Sequence, residues 1–154
     1  MMSEVNRPDF DTLKDNYRTG PQQHHGNGND IARSCNIRIS NSCAIRMSEA
    51  LYRTNDKWKE VFQNSAVLVC REGMVRGAQG LGRVLRDNWG VRDLGWKGKN
   101  LNGNAPTAIN GKQGVVCYMN IPGYTGEGHV DLWDKNGPVG SEYWGAETIW
   151  FWKL

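Results

Sequence analysis

The chain has 154 residues, of which 23% are charged and 38% hydrophobic, and a formal net charge of +3. This length fits one domain with its own core, so we expect a single domain over residues 1–154. The basic residues form no block, which argues against nucleic-acid binding. No apolar run approaches the roughly 20 residues that a membrane span needs, so we expect no membrane insertion. The N-terminus lacks the basic start and apolar segment of a secretory signal peptide.

Two helical patterns dominate the first half of the chain. Phe10, Leu13 and Tyr17 recur at helical spacing and predict a short helix. A Gly- and Asn-rich segment over residues 20–30 follows, which we expect to be a flexible loop with a solvated His24-His25 pair. The stretch NSCAIRMSEAL then predicts a helix from about Cys43 to Arg53, capped by Asn41 or Ser42, with apolar side chains on one face and Arg46, Glu49 and Arg53 on the other.

The rest of the chain predicts one more helix and several strands. AVLVC, residues 66–70, is typical of a buried strand, and an apolar stripe over residues 78–89 predicts a helix. Residues 96–111 are rich in turn formers and predict an irregular loop. Strand patterns then occupy residues 114–121, 129–134 and 147–154. Helices followed by strands predict an α+β fold, with helices packed on one face of an antiparallel sheet.

The four cysteines do not form a metal-binding pattern. Cys35, Cys43, Cys70 and Cys117 match no zinc or CxxC spacing, so no metal site is expected. If Cys43 is a free thiol, at most one disulfide is possible. Cys70 and Cys117 lie in strand-like runs and are expected to be small buried apolar residues.

Cys43 and His129 form a candidate nucleophile and base. At a helix N-terminus, the macrodipole and free N–H groups favour the thiolate of Cys43. His129 lies in GEGHVDLWD, where Gly126 and Gly128 leave space beside a strand start. The pair predicts covalent catalysis by a cysteine, with the imidazole as base.

A third group should orient the imidazole, and two carboxylates are candidates. A two-residue turn at 135–136 places Glu142 across the hairpin from His129. A turn one residue later leaves Asp131, on the same strand face as His129, as the nearer carboxylate. We favour the first register and therefore Glu142.

Four segments, NSCAIRMSEAL, GKQGVVCYMN, GEGHVDLWD and ETIWFWKL, together resemble the fourth family of type VI secretion amidase effectors. The resemblance implies a papain-like fold of the NlpC type and a cysteine peptidase that needs no cofactor. Its implied substrate is the peptidoglycan peptide stem, cut between D-glutamate and meso-diaminopimelate. Cys43 and His129 match the family's nucleophile and base.

The resemblance also implies partners and a route. The protein is expected to be made in the bacterial cytoplasm without a signal peptide, delivered by the type VI secretion apparatus into the periplasm of a competitor, and blocked in the producing cell by a cognate immunity protein. The family's acidic residue eleven positions after the histidine is replaced here by Gly140, and two extra residues in the hairpin would bring Glu142 to that place. Candidate substrate contacts are Ser42, Tyr124 and Trp133, although both aromatic residues also suit core packing.

Two other functions fit the same sequence. A related papain-fold acyltransferase or transglutaminase-like enzyme would resolve the thioester with an amine instead of water. A cell-wall-binding module with an inactive site would use the seven tryptophans for binding alone. The second alternative predicts that removing the Cys43 thiol leaves toxicity and cell-wall binding unchanged.

Overall fold

The computed structural model describes residues 5–17, 30–35, 42–124 and 128–154. Its helices are α1 (Phe10–Asn16), α2 (Asp30–Cys35), α3 (Cys43–Thr54), α4 (Lys57–Asn64) and α5 (Ala78–Trp89). Its strands are β1 (Leu94–Trp96), β2 (Gln113–Met119), β3 (Gly128–Asp134), β4 (Gly137–Pro138) and β5 (Thr148–Lys153). The predicted loop over 20–30, with His24 and His25, lies outside the described residues except for Asp30, which begins α2.

The five strands form one antiparallel sheet in the order β1-β5-β2-β3-β4. On β3, His129 pairs with Tyr118 of β2 and Asp131 pairs with Val116. The α+β prediction and its three long strands are therefore confirmed, with strand ends shifted by one or two residues.

The sheet is covered on both faces. The helices pack on one face, against Cys117, Val130, Leu132 and Trp152 among others. The opposite face carries an aromatic cluster that includes Tyr118, Trp133, Trp144 and Phe151. Because side chains alternate along a strand, β3 sends Val130 and Leu132 toward the helices and Trp133 toward the aromatic cluster.

The predicted helices have clear local causes. Asp9 caps α1 by accepting the Thr12 N–H at 3.1 Å, and Leu13 is fully buried. The apolar stripe of α5 lies against β2, where a Cβ added at Gly82 would be 3.2 Å from the Cys117 sulfur. Gly82 therefore allows the helix to approach the sheet closely. Cys117 is buried, as predicted, and is not part of the disulfide.

The segment between α3 and α5 differs from the prediction in two ways. Residues 66–70 do not form a strand: Leu68 is 76% exposed, and only Val69 forms a bridge, with Val75. The chain reverses immediately after Cys70, and the backbone of residues 68–70 bonds to residues 73–76 and not to the five-stranded sheet. Sequence analysis also missed α4, whose buried Trp58 and Phe62 are spaced one helical turn apart.

Cys70 is not a free packing residue, because it forms a disulfide with Cys35 at a Cα–Cα distance of 5.6 Å. The bridge ties α2 to the loop that follows α4. Cys43 remains a free thiol. Within the described residues, the longest helices have 12 residues and none has the length and apolar character of a membrane span.

Candidate active site

Cys43 is the first residue of α3 and is 1% exposed. Ser42 precedes it in the N-cap position but makes no side-chain cap bond to the helix. Instead, its hydroxyl accepts a hydrogen bond from the Arg46 guanidinium. The first turn of α3 thus holds a thiol and a cation together.

The edge of β3 holds the Cys43 sulfur. β4 pairs only with Trp133 and Asp134, so β3 has no strand partner on that side at Val130. There, the Val130 backbone N–H forms a hydrogen bond to the Cys43 thiol, and the Val130 carbonyl accepts a long bond from the Tyr17 hydroxyl at 3.5 Å. The sulfur is therefore bonded to the residue that directly follows His129.

The His129 ring is packed between aromatic residues. It stacks on Tyr118 at 6.0 Å between ring centroids and meets the edge of Tyr143 at 5.1 Å. Its Nε2 is buried and has no hydrogen-bond partner in the structure. A backbone hydrogen bond from the ring to Ser141 favours the protonated form. Nε2 is therefore the nitrogen left free to exchange a proton.

Burial sets the resting protonation of both groups. It raises the pKa of the Cys43 thiol, against the opposing effects of the Val130 N–H and the Arg46 charge. Burial and the same Arg46 charge lower the pKa of His129 to about 4. The expected preference for thiolate is thus outweighed by burial, and both groups rest in their neutral forms, Cys43 as a thiol and His129 as an imidazole.

Glu142 lies close enough to Tyr118, on which the imidazole stacks, for its charge to raise the pKa of that phenol, but it is not among the groups that shift the pKa of His129. The hairpin turns at 135–136, in the favoured register, with Asp134 paired to Gly137. However, the ladder does not continue to His129, and Glu142 is exposed. The pKa of His129 is shifted by burial, Arg46 and the Ser141 backbone, with no carboxylate among the causes.

Asp131, the alternative carboxylate, is fully buried next to the turn after β4. Its Oδ2 accepts the Gly140 N–H at 2.7 Å. The ladder between β3 and the segment after β4 ends at Leu132, whose carbonyl accepts the Val139 N–H at 2.9 Å. Burial raises the pKa of Asp131 to about 6, against stabilisation of the carboxylate by Gly140, Tyr17 and the Ser141 backbone. Asp131 therefore contacts the segment that touches His129, and not the ring itself.

The candidate substrate contacts fall in different places. Ser42 adjoins the thiol, and Tyr124 lies close enough to Cys43 for a thiolate there to raise the pKa of the Tyr124 phenol. Trp133 is instead in the core, 2% exposed and 5.6 Å from Trp144, so it does not line the site. The alternating pattern of its strand could not show whether Trp133 packs in the core or lines the site.

Sequence analysis missed Tyr143 and Arg46. Tyr143 lies in an irregular segment with no pattern to mark it, between His129 and Tyr124. Arg46 had a usable signal, because residues three apart in a helix lie on the same side, which places it beside Cys43. Among the described residues, no group of three or more His, Cys, Asp or Glu is arranged to hold a metal ion.

Comparison with known proteins gives one family and several solved structures. The sequence profile of Tae4, described as type VI secretion system amidase effector protein 4, matches residues 39–152. The effector Tae4 from Salmonella typhimurium, solved in complex with the immunity Tai4 from Enterobacter cloacae, is 20% identical with a TM-score of 0.69, covering 96% of this chain and 99% of that one. Tae4 from Enterobacter cloacae is 21% identical with a TM-score of 0.61, covering 99% of each chain. No curated protein sequence shows significant similarity. The structural likeness confirms the papain-like fold of the NlpC type.

Proposed function

The chain belongs to the type VI secretion amidase effector 4 family, and from this we propose that it is a cysteine amidase acting on peptidoglycan. The bond we assign to it joins D-glutamate to meso-diaminopimelate in the peptide stem. Cys43 is the proposed nucleophile and His129 the proposed general base. All of residues 1–154 would then form one catalytic domain.

The observation that carries this proposal is the hydrogen bond between the Val130 N–H and the Cys43 sulfur. It fixes the thiol beside the strand residue that follows His129. A helix-borne thiol and a sheet-borne imidazole at one place are what thiol-dependent acyl transfer needs. Nε2, buried and without a partner, is available to take the thiol proton.

The first step starts from neutral groups. As the Cys43 sulfur attacks the γ-carbonyl carbon of D-glutamate, the thiol proton moves to His129 Nε2, and the carbonyl π electrons move to its oxygen. The free backbone N–H groups of the first turn of α3 stabilise this oxyanion. Because the pKa of His129 is about 4, the imidazole is neutral and competent as a base at neutral pH.

The second step releases the amine and restores the thiol. The imidazolium gives its proton to the diaminopimelate nitrogen as the C–N bond breaks, leaving a thioester on Cys43. His129 then takes a proton from water, whose oxygen attacks the thioester carbon. Collapse of that intermediate returns the proton to the sulfur and frees the D-glutamate γ-carboxylate.

Asp131 serves as a positioning residue in this proposal. Its carboxylate holds the Gly140 N–H and is also stabilised by the Ser141 backbone. Ser141 in turn interacts with the imidazole. Asp131 thus acts on His129 through the backbone of residues 140–141. Sequence analysis favoured Glu142 for the role of orienting the imidazole and kept Asp131 as the alternative.

We further propose that the protein reaches the periplasm of a target cell through a type VI secretion apparatus. The solved Tae4 structures include complexes with Tai4 immunity proteins. By analogy, a cognate immunity protein would protect the producing cell by covering the cleft at Cys43.

The test is digestion of purified muropeptides followed by mass spectrometry. The wild type should release the fragment ending in D-glutamate, whereas the C43A and H129A variants should lose at least about 1,000-fold in rate. Incorporation of an added amine at D-glutamate would instead indicate an acyltransferase. Muropeptide binding with no product from the wild type would indicate a binding module.

A further inference from the structure

We propose that Arg46 binds a free carboxylate of the substrate, the α-carboxylate of the γ-linked D-glutamate on the acyl side of the scissile bond. The inference rests on the proposed function and extends it to substrate selection. Arg46 would favour anionic stems over stems in which this carboxyl group is amidated.

The first support is position. Arg46 follows Cys43 by three residues in α3, a spacing that puts two Cβ atoms about 5–6 Å apart on one side of a helix. Its Nη1 donates to the Ser42 hydroxyl, so the guanidinium folds back toward the N-terminal turn. From there its charge acts to lower the pKa of Cys43, His129 and Tyr124. The cation therefore lies at the site itself.

The second support is an uncompensated charge. Arg46 is half-buried, and its Nε is inaccessible and has no hydrogen-bond partner. Arg53 in the same helix differs, because it pairs with the buried Glu49 at 2.7 Å. In the part of the chain that the structure describes, no carboxylate forms an ion pair with Arg46. Asp131 accepts the Gly140 N–H through Oδ2, and its Oδ1 is buried without a hydrogen-bond partner among the same residues. Desolvating an unpaired cation is costly, which favours a ligand that pairs with it.

The third support is the chemistry of the ligand. A guanidinium binds a carboxylate through two parallel N–H···O bonds, a geometry that an ammonium group does not provide. In γ-linked D-glutamate, four C–C bonds separate the scissile carbon from the α-carboxylate carbon, a reach of about 5 Å. This reach is similar to the spacing of the Cβ atoms of Cys43 and Arg46, three residues apart on α3. A peptide with its carbonyl at the sulfur would therefore hold its carboxylate on the side of α3 from which Arg46 extends.

Binding would also assist the reaction. A bound carboxylate offsets the positive charge beside His129, and the protonated imidazole becomes easier to form. The imidazolium is the species that must protonate the leaving amine. Substrates without this carboxylate would then lose rate as well as affinity.

The experiment compares two synthetic peptides, L-Ala-γ-D-Glu-diaminopimelate and its analogue with D-isoglutamine, in which the α-carboxylate is an amide. The wild type should cleave the first with a kcat/KM about 10- to 100-fold higher, the range for hydrogen bonds to charged groups. In the R46Q variant this ratio should fall toward one, chiefly through loss on the carboxylate peptide. R46K should retain part of the preference. R83Q, at an exposed position of α5, makes the same change in net charge and should keep the wild-type ratio.

A turnover-free measurement covers the case in which R46Q is poorly active. Calorimetry with C43A and C43A/R46Q, both first checked for folding by thermal unfolding, should show the carboxylate preference in the former and its loss in the latter. If R46Q slows both peptides equally and keeps the preference, or if wild type and C43A show no preference, the inference is wrong. If wild type cleaves neither peptide, the proposed function itself fails.

Discussion

Asp131 accepts the Gly140 N–H at 2.7 Å, and its Oδ1 lies 3.1 Å from where a Cβ at position 140 would be. The carboxylate of one strand thus fills space that a side chain on the neighbouring segment would occupy. The acidic group beside residue 140 is therefore the carboxylate of Asp131, because residue 140 itself is glycine.

Replacing Asp131 with asparagine should remove one of two steps in the dependence of kcat/KM on pH. With groups near pH 6 and pH 4, the wild-type kcat/KM should fall in two stages on acidification, first as Asp131 is protonated and then as His129 is. D131N keeps the shape but not the charge, so we expect kcat to fall about 10-fold and only the lower stage to remain. E142Q makes the same chemical change at an exposed site and should keep both stages. Persistence of the upper stage in D131N would show that Asp131 does not control it.

Replacing His129 should change how stability depends on pH. Its pKa falls from 6.5 to about 4 on folding, so the neutral ring contributes stability above pH 6.5 that is lost as pH falls toward 4. This amounts to at most about 3 kcal/mol. Asp131, with its pKa raised by folding, acts in the opposite direction between about pH 4 and 6, but it is common to both proteins. Urea unfolding of wild type and H129Q should therefore be compared at pH 7.5, 5.5 and 4. The free energy of unfolding of the wild type should fall, relative to that of H129Q, as the pH is lowered. A constant difference would contradict the buried, neutral ring.

Gly128 should not tolerate alanine. Its φ is 155°, and a Cβ would lie 2.4 Å from the Tyr118 carbonyl oxygen on β2. The strand start would have to move and take His129 with it. We expect G128A to lose about 2 kcal/mol or more of unfolding free energy and most of its activity.

The matched control for that substitution is in the same hairpin. Gly137 has no atom within 4 Å of an added Cβ, so G137A should stay within about 0.5 kcal/mol of wild type. Thermal unfolding and muropeptide cleavage measure both variants. Equal effects at the two glycines would mean that the start of β3 is not constrained by β2.

Removing the Cys35–Cys70 bridge should destabilise the fold without touching the thiol of Cys43. The bridge closes a loop with a sequence separation of 35, for which chain entropy predicts about 3–4 kcal/mol. The C35S/C70S variant should unfold at a lower urea concentration. Wild type in reductant should fall to the same level, whereas the variant should not respond to reductant. An unchanged midpoint for reduced wild type would mean that the bridge adds no stability.

The sequence predicted elements whose cause is local. Asp9 and the stripe after it define α1, and the alternation in GHVDLWD defines β3. Features that depend on distant parts of the chain were missed: the Cys35–Cys70 bridge spans α3 and α4, and residues 66–70 do not join the five-stranded sheet. The third site residue depended on where the hairpin ladder stops, which the alternation of the strand does not show.

The same distinction applies within the site. Cys43 could be recognised from its helix start, and His129 from the glycines around it. Arg46 was grouped with Glu49 and Arg53 on the charged face of the helix, although it follows Cys43 by only three residues. Its side chain turns back to Ser42. Burial also reversed the expected ionisation of the thiol, and burial is a property of the packed molecule.

An unprotected strand edge recruits other strands and so promotes self-association. At Val130, where β4 has already ended, Cys43 and Tyr17 occupy the backbone groups that another chain could otherwise engage. The residue proposed to attack the cell wall therefore also shields its own sheet. A shift of α3 that moves Cys43 away from Val130 would also expose the backbone of β3 to other chains. Variants that lose the geometry of the site should therefore also aggregate more readily.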